Sequence, residues 1–321
     1  MTALRTEIEP GIPKTMTTAH ALADDPECWP ALPLDEWRDT YATLHMWTQV
    51  VGKIRMGLTP LINHWWNVPL YVTTRGLTTS GIPYGERSFE LWFDLYRHRL
   101  ALETSDGIEK TLALEPMSVA AFYAQCMEML RRSGIDVKIW TTPVEIPDPI
   151  PFEKDEGHHS YDPDAVERFW RILLSVHAVF QVFRSRFIGK CSPVHFFWGS
   201  FDLAVTRFSG RRAPERPGAD AMTREAYSHE VSSVGFWPGG GSVSGPAFYS
   251  YTTPEPKGFR EATVRPAAAR YDASLGEFLL MYDEIRNGQK PCEDLLAFCQ
   301  STYEAGANAA AWDRSALERA G

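Results

Sequence analysis

The stretch from His177 to Arg212, HAVFQVFRSRFIGKCSPVHFFWGSFDLAVTRFSGRR, has a diverged copy earlier in the chain. The copy runs from His45 to Arg75 and reads HMWTQVVGKIRMGLTPLINHWWNVPLYVTTR. At an offset of 132 residues, seven of 31 aligned positions are identical, whereas ordinary residue frequencies would give roughly two by chance. Trp66 and Trp198 are among the identical residues. This period is too long for a solenoid and predicts one α+β unit that was duplicated and fused.

Both copies begin with the three- and four-residue spacing of an amphipathic helix. The apolar residues at that spacing are Trp37, Tyr41, Leu44, Trp47, Val51, Ile54 and Leu58 in the first copy and Phe169, Leu173, Val176, Val179 and Phe183 in the second. Gly57 and Gly189 are predicted to close the two helices, because glycine accepts the left-handed conformation common at helix ends. Each repeat is therefore predicted to start with a long helix.

Segments rich in aromatic and β-branched residues follow each helix and predict strands. They include HWWNVPLYVTT, residues 64–74, and EATVRPAAARY, residues 261–271. Further helices are predicted at residues 118–134, with Ser118 as the N-cap, and at residues 274–288, SLGEFLLMYDEIRNG. These elements predict an α+β fold of two pseudo-symmetric fused repeats, each an antiparallel sheet packed against helices.

The distribution of proline and charge predicts the domain boundaries. Residues 1–28 are expected to form a disordered or extended N-terminal arm, and residues 29–141 the first α+β repeat. Residues 142–162 are rich in proline and charge and are expected to form a linker or crossing loop. Residues 163–321 are the second repeat and the candidate functional half.

The composition is that of a globular protein with an acidic surface. The chain carries 32 Lys and Arg against 41 Asp and Glu, a net charge of −9. Such a surface repels phosphates, so nucleic acid is not an expected partner. No stretch reaches the roughly 18 apolar residues of a membrane span, and the five cysteines contain no CxxC pair. We therefore expect a cytoplasmic protein with no membrane partner.

Four stretches of the sequence carry a resemblance to a known family. They are WPALPLDEWRDTYATLHMWTQVVGKIR from Trp29, HFFWGSFDLAVTRFSGRRAP from His195, REAYSHEVSSVGFWPGGG from Arg224 and PAFYSYTTPEP from Pro246. They resemble DUF5996, a bacterial domain family of unknown function, and the resemblance extends to Ala311. It implies no activity, cofactor or catalytic residue, so the residues themselves must indicate the function.

Asp202 is the position at which the second repeat departs most clearly from the first, which has Leu70 there. A carboxylate among such apolar neighbours is costly unless it is paired or hydrogen-bonded. Arg207, Arg184 and His229 are possible partners. Without a partner, burial would raise the pKa of Asp202 and suit it to acid–base catalysis. A structural salt bridge or a cap on a backbone turn is the alternative.

The candidate catalytic residues are Asp202, His229 and Glu230, because their side chains exchange protons at or below neutral pH. The candidate ligand-binding residues are His177, His195, Trp198, Arg207 and Trp237. The histidines also fit structural roles. The His177–Gln181 pair, like His45–Gln49, would fit a hydrogen-bond network in the core. His195 lies on a strand rich in aromatic residues and would fit as a buried core residue.

The sequence predicts a small, partly apolar ligand in a pocket of the second repeat, with or without an anionic group that arginine would bind. Acid–base catalysis at that pocket is one hypothesis, and a non-catalytic binding or scaffold protein is the alternative. A second alternative is a metal-dependent enzyme using histidine and aspartate, although the chain has no HExxH or HxH motif. It also has no P-loop, strand-linked GxGxxG or GxSxG elbow, so no cofactor is indicated.

Overall fold

Both predicted long helices are present, and each leads into an antiparallel sheet. The computed structural model describes residues 24–319. Its helices are α1 (Leu34–Leu58), α2 (Val119–Arg132), α3 (Pro163–Ser185), α4 (Ala221–Ala226), α5 (Tyr282–Arg286), α6 (Pro291–Ala309) and α7 (Arg314–Leu317). Its strands are β1 (Tyr71–Thr73), β2 (Gly76–Thr78), β3 (Ile82–Tyr84), β4 (Arg87–Asp94), β5 (Arg99–Thr104), β6 (Glu109–Ala113), β7 (His195–Phe197), β8 (Asp202–Arg212), β9 (His229–Trp237), β10 (Ala247–Thr253), β11 (Arg270–Asp272) and β12 (Glu277–Met281).

The strands of the described residues form two six-stranded antiparallel sheets, one in each repeat. The first has the order β1-β2-β4-β5-β6, with β3 paired to β4, and the second has the order β11-β12-β10-β9-β8-β7. Both sheets contain a meander of consecutive strands, β4-β5-β6 in the first and β8-β9-β10 in the second. The helix α2 follows the first meander, and α5 and α6 follow the second. The predicted α+β fold of two repeats is confirmed.

The two repeats share one hydrophobic core, which contains buried residues of both sheets and of α1, α2, α3 and α6. Backbone hydrogen bonds join the sheets, from the Leu70 nitrogen to the Phe196 oxygen (2.9 Å) and from the Phe196 nitrogen to the Leu70 oxygen (2.8 Å). The Trp198 indole nitrogen adds a bond to the Val68 oxygen (2.8 Å). Packing and hydrogen bonds therefore couple the repeats.

One face of the second sheet packs against helices α3 and α6. Arg207 of β8 points to that face, where its guanidinium lies 3.5 Å from the centre of the Phe183 ring of α3. Successive residues of a strand point to opposite faces. Asp202 and Thr206 of the same strand therefore point to the other face, where Thr206 hydrogen-bonds to Ser233 of β9 (3.0 Å between hydroxyl oxygens).

The predicted closure of the helices by glycine is wrong. Gly57 lies inside α1, and α3 ends at Ser185, before Gly189. Neither glycine has a positive φ. Gly189 has a packing role instead, since a Cβ atom there would overlap the Leu317 side chain.

Three segments differ from the elements predicted for them. In the segment 274–288, Glu277–Met281 forms the paired strand β12, because short apolar runs fit a strand or a helix equally well and pairing with β10 decides. Within the segment 261–271, only Arg270 and Tyr271 belong to a strand, β11. Residues 64–74 contain only the short β1, since His64 and Trp65 have φ values of 59° and 60° that interrupt an extended chain.

The segment 142–162 is packed against the first repeat. Phe152 lies in a short 3-10 helix and is fully buried. Gln49 of α1 holds the start of the segment, with its amide nitrogen bonded to the Val144 oxygen (2.8 Å) and its oxygen accepting from the Val144 nitrogen (2.9 Å). The arm predicted for residues 1–28 lies mostly outside the described residues. Between residues 24 and 319, no helix is long and apolar enough to cross a membrane.

Candidate functional site

Asp202 is a buried carboxyl group that hydroxyl groups bind. It begins β8 and is 6% exposed. The Ser200 hydroxyl donates to Oδ1, and the Tyr249 hydroxyl donates to Oδ2. Removal from water raises the pKa of Asp202, and the two hydroxyl donors oppose that rise only in part. A raised pKa makes the carboxylate form a stronger proton acceptor and keeps the acid form to a higher pH.

The cationic residues considered as possible partners of Asp202 do not contact it. Arg207 points to the helix-covered face of the sheet, where it donates to the Phe183 oxygen. Arg184 of α3 bonds to the Ser192 oxygen (2.6 Å) and the Gln181 side chain. The alternative of a salt bridge from Asp202 to Arg207 or Arg184 is not formed, and the alternation of β8 places Arg207 on the opposite face of the sheet.

Two other carboxyl groups lie close enough to Asp202 to repel its charge. Burial raises the pKa of Glu277 to about 7, with repulsion by Asp202 as the next contribution. The pKa of Glu145 is also raised, first by burial of the carboxyl group and then by Asp202. Acids whose pKa values are raised by burial and by one another's charge are a common feature of functional sites.

Half-buried aromatic side chains surround the buried acid. The Trp237 indole donates to the Tyr41 hydroxyl, and burial raises the pKa of Tyr41 to about 12. The Tyr249 ring stacks on the Tyr251 ring, with centroids 6.2 Å apart and planes at 9°. The Tyr251 hydroxyl lies 3.0 Å from the Tyr227 hydroxyl. Asp202 thus lies among aromatic rings and hydroxyl groups, with 6% of its surface exposed.

Two glycines let side chains approach the acid. The Tyr249 ring lies over Gly235 of β9, where a Cβ atom would overlap it. The Glu145 carboxylate lies against Gly199, where a Cβ atom would meet Oε1. Glu145 comes from the segment predicted as a linker, so that segment contributes to the site.

His229 and Glu230 lie toward the far end of β9 from Trp237, away from Asp202. His229 contacts Ser228 (3.1 Å between the ring nitrogen and the hydroxyl), and its ring lies 5.5 Å from that of His64. Glu230 forms an ion pair with Arg211 at 2.7 Å. The structure does not bring these two predicted catalytic residues together with Asp202.

Only some of the predicted ligand-binding residues lie at the site, and the others make structural contacts. Trp237 belongs to the site. Trp198 packs against Gly52 as well as bonding to Val68. His177 lies on α3, with its ring nitrogen 3.3 Å from the Gln181 amide nitrogen. Arg207, fully buried, is held by aromatic rings of the core.

His195 shares the sheet face of Asp202, because it pairs with Ala204 of β8. It is 1% exposed, and neither ring nitrogen has a hydrogen-bond partner among the described residues. Burial and, after it, the positive charges of Arg55 and Arg184 lower the pKa of His195 to about 3. A neutral imidazole is therefore present at neutral pH.

Several site residues were missed from the sequence: Tyr41, Glu145, Ser200, Tyr249, Tyr251 and Glu277. The alternation of Tyr249 and Tyr251 in β10 was the available signal, since it places both on one face. Glu277 was hidden in a segment predicted as a helix. The sequence around Glu145 contains no pattern that indicates a site residue, because tertiary packing places Glu145 beside Gly199.

The geometry defines an α+β protein of two fused repeats, in which a buried carboxyl group lies among tyrosines on the second sheet. The chain belongs to the DUF5996 family, a family of unknown function whose model matches residues 29–319. No curated protein and no solved structure matches the chain. In residues 24–319, no group of three or more His, Cys, Asp or Glu side chains is arranged to hold a metal ion.

Proposed function

We propose that the second repeat binds a small, partly apolar ligand whose positively charged group contacts Asp202. The observation that carries the proposal is a buried carboxyl with two acidic neighbours and no contacting cation among the described residues. A ligand cation would neutralise these acids. The rings of Tyr41, Trp237 and Tyr249 suit the apolar part and also attract cations.

This ligand charge is opposite to the anionic group considered from the sequence. That expectation rested on Arg207, whose guanidinium is fully buried on the helix-covered face. The side chains around Asp202 are acidic, hydroxylic or aromatic. Coulomb attraction therefore favours a protonated amine over a carboxylate at this place.

Acid–base catalysis is a second candidate function at the same site. The raised pKa values of Asp202 and Glu277 favour it, because a group with a pKa near the working pH transfers protons efficiently. Asp202 would exchange the proton with the ligand. Glu277 would then gain or lose a proton in response to the changed charge of Asp202. The catalytic roles predicted for His229 and Glu230 need a ligand that extends along β9.

A matched set of probes tests the charge of the ligand. Benzylamine, benzyl alcohol and benzoate share a ring and differ in charge, and each is added to the protein during thermal unfolding. We expect benzylamine to raise the melting temperature in a saturable way, because binding to the native state stabilises it. An equal or larger effect of benzoate would overturn the proposal.

The variant Asp202→Asn tests the location. Asparagine resembles the protonated carboxyl and keeps an acceptor, so we expect a melting temperature close to that of the wild type and loss of the benzylamine effect. Glu293→Gln is the control, since its ion pair with Lys290 is exposed and lies outside the site. Retention of the benzylamine effect in Asp202→Asn would show that the amine binds elsewhere.

A further inference from the structure

A cavity of about 280 Å³ lies where the end of α3 meets the last described residues. Its lining includes Arg184, Arg319, Gln181, Phe187 and Cys191. No carboxylate lines it, and none of the residues of the Asp202 site belongs to it.

The two arginines of the cavity are not neutralised within residues 24–319. Arg184 donates to the Ser192 oxygen (2.6 Å) and to the Gln181 side chain (3.4 Å). Arg319 donates to the Ser185 oxygen (2.8 Å) through Nε. None of the ion pairs of the described residues includes either arginine. Both guanidinium groups therefore keep terminal N–H donors for another partner.

Backbone hydrogen bonds hold Arg319 beside α3. The Ile188 nitrogen donates to the Leu317 oxygen (2.8 Å), and the Arg319 nitrogen donates to the Arg186 oxygen (3.0 Å). Gly189 permits the close approach, as its missing side chain leaves room for Leu317. The two guanidinium groups are thus positioned by the fold, which reduces the entropy lost on binding a ligand.

We propose that this cavity is a second binding site, which takes a small oxyanion between Arg184 and Arg319. The forked N–H donors of guanidinium match the oxygens of phosphate and carboxylate. Gln181 contributes a side-chain amide to the lining, and Phe187 and Cys191 contribute a ring and a thiol. The ligand class is opposite in charge to the one proposed for Asp202.

Isothermal titration with inorganic phosphate and with acetate tests the site, at ionic strength held constant with chloride. We expect saturable binding of at least one anion, and the tighter one identifies the phosphate or carboxylate source. Arg184→Gln and Arg319→Gln should each weaken it about 10- to 100-fold, as expected for losing a charge-assisted hydrogen bond. Arg171→Gln is the matched control, because Arg171 lies on α3 but is paired with Glu167.

Two results would overturn the proposal: neither anion binds the wild type, or both glutamine variants bind as tightly as the wild type. Arg184→Lys keeps the positive charge without the fork and should bind more weakly than the wild type, which covers the case in which Arg184→Gln unfolds. The response of Arg319→Gln to benzylamine should equal that of the wild type. This separates a failure at the cavity from a failure at Asp202.

Discussion

Asp202 shows how far single residues could be interpreted from the sequence. The comparison with Leu70 identified it as an exceptional acid, and the structure places it in a buried position. Its actual partners, Ser200 and Tyr249, were not foreseen, because one is two residues away in a turn and the other lies two strands away. A sequence indicates that a buried acid needs partners, but the pairing of strands selects them.

Glu277→Gln should change the pH dependence of stability. The pKa of Glu277 rises from an ordinary value of 4.5 to about 7 on folding. The stabilising contribution of this group is therefore fully present below pH 4.5 and is lost as the pH rises through 7. The variant should equal the wild type near pH 4.5 and exceed it by about 1–2 kcal/mol above pH 7.5. Chemical denaturation of both proteins across this range measures the difference, and a constant difference would contradict the assignment.

Gly235→Ala should displace the Tyr249 ring, because the added methyl group overlaps it. We expect a loss of about 1–3 kcal/mol in the free energy of unfolding, as for other overpacked sites, together with a weaker benzylamine response. Gly81→Ala is the control, since a Cβ atom there meets nothing within 4 Å. Equal stabilities of the two variants in urea would show that Tyr249 moves without cost.

At the scale of elements, periodicity predicted the helices better than the strands. The apolar residues of α1 and α3 recur every three or four positions over several helical turns, which indicated both helices clearly. The predicted N-cap of α2 is also present, since the Ser118 hydroxyl accepts from the Ala121 nitrogen at 3.1 Å. The strand β12 was missed because a run of four apolar residues is too short to show whether its spacing is that of a strand or of a helix. Its pairing with β10 joins segments that are distant in the sequence, so the local residue pattern does not predict it.

Asp162→Ala should weaken the start of α3. The Asp162 carboxylate accepts from the nitrogens of Asp164 (2.9 Å) and Ala165 (3.3 Å), which lack partners inside the helix. Loss of such a cap costs about 1 kcal/mol of stability. Asp164→Asn keeps the cap and should cost less. Urea denaturation compares the variants, and an unchanged midpoint for Asp162→Ala would show that solvent replaces the cap.

At the scale of the whole molecule, the duplication was visible in the sequence, whereas the shared core was not. Seven identities identified the repeat but gave no information on how its copies meet. Their contact depends on groups of both copies, such as the His45 ring nitrogen, which lies 2.8 Å from the Gly199 oxygen. Burial lowers the pKa of His45 to about 4, so this contact contains a neutral imidazole.

The two repeats should unfold together. Because one core and two sheet-joining hydrogen bonds couple them, calorimetry should show one transition, with the calorimetric and van't Hoff enthalpies equal. Residues 163–321 expressed alone should expose the surface that α1 covers and lack a cooperative transition. Two separated transitions in the full chain would contradict the shared core.

The bonds between Leu70 and Phe196 are made by main-chain atoms alone. Main-chain groups are the same in every residue except proline, so mutation can alter the side chains at this junction without removing its donors and acceptors. The copies could therefore drift apart in evolution while their attachment persisted. The aligned positions Leu70 and Asp202 can accordingly differ in their side chains without loss of these two bonds.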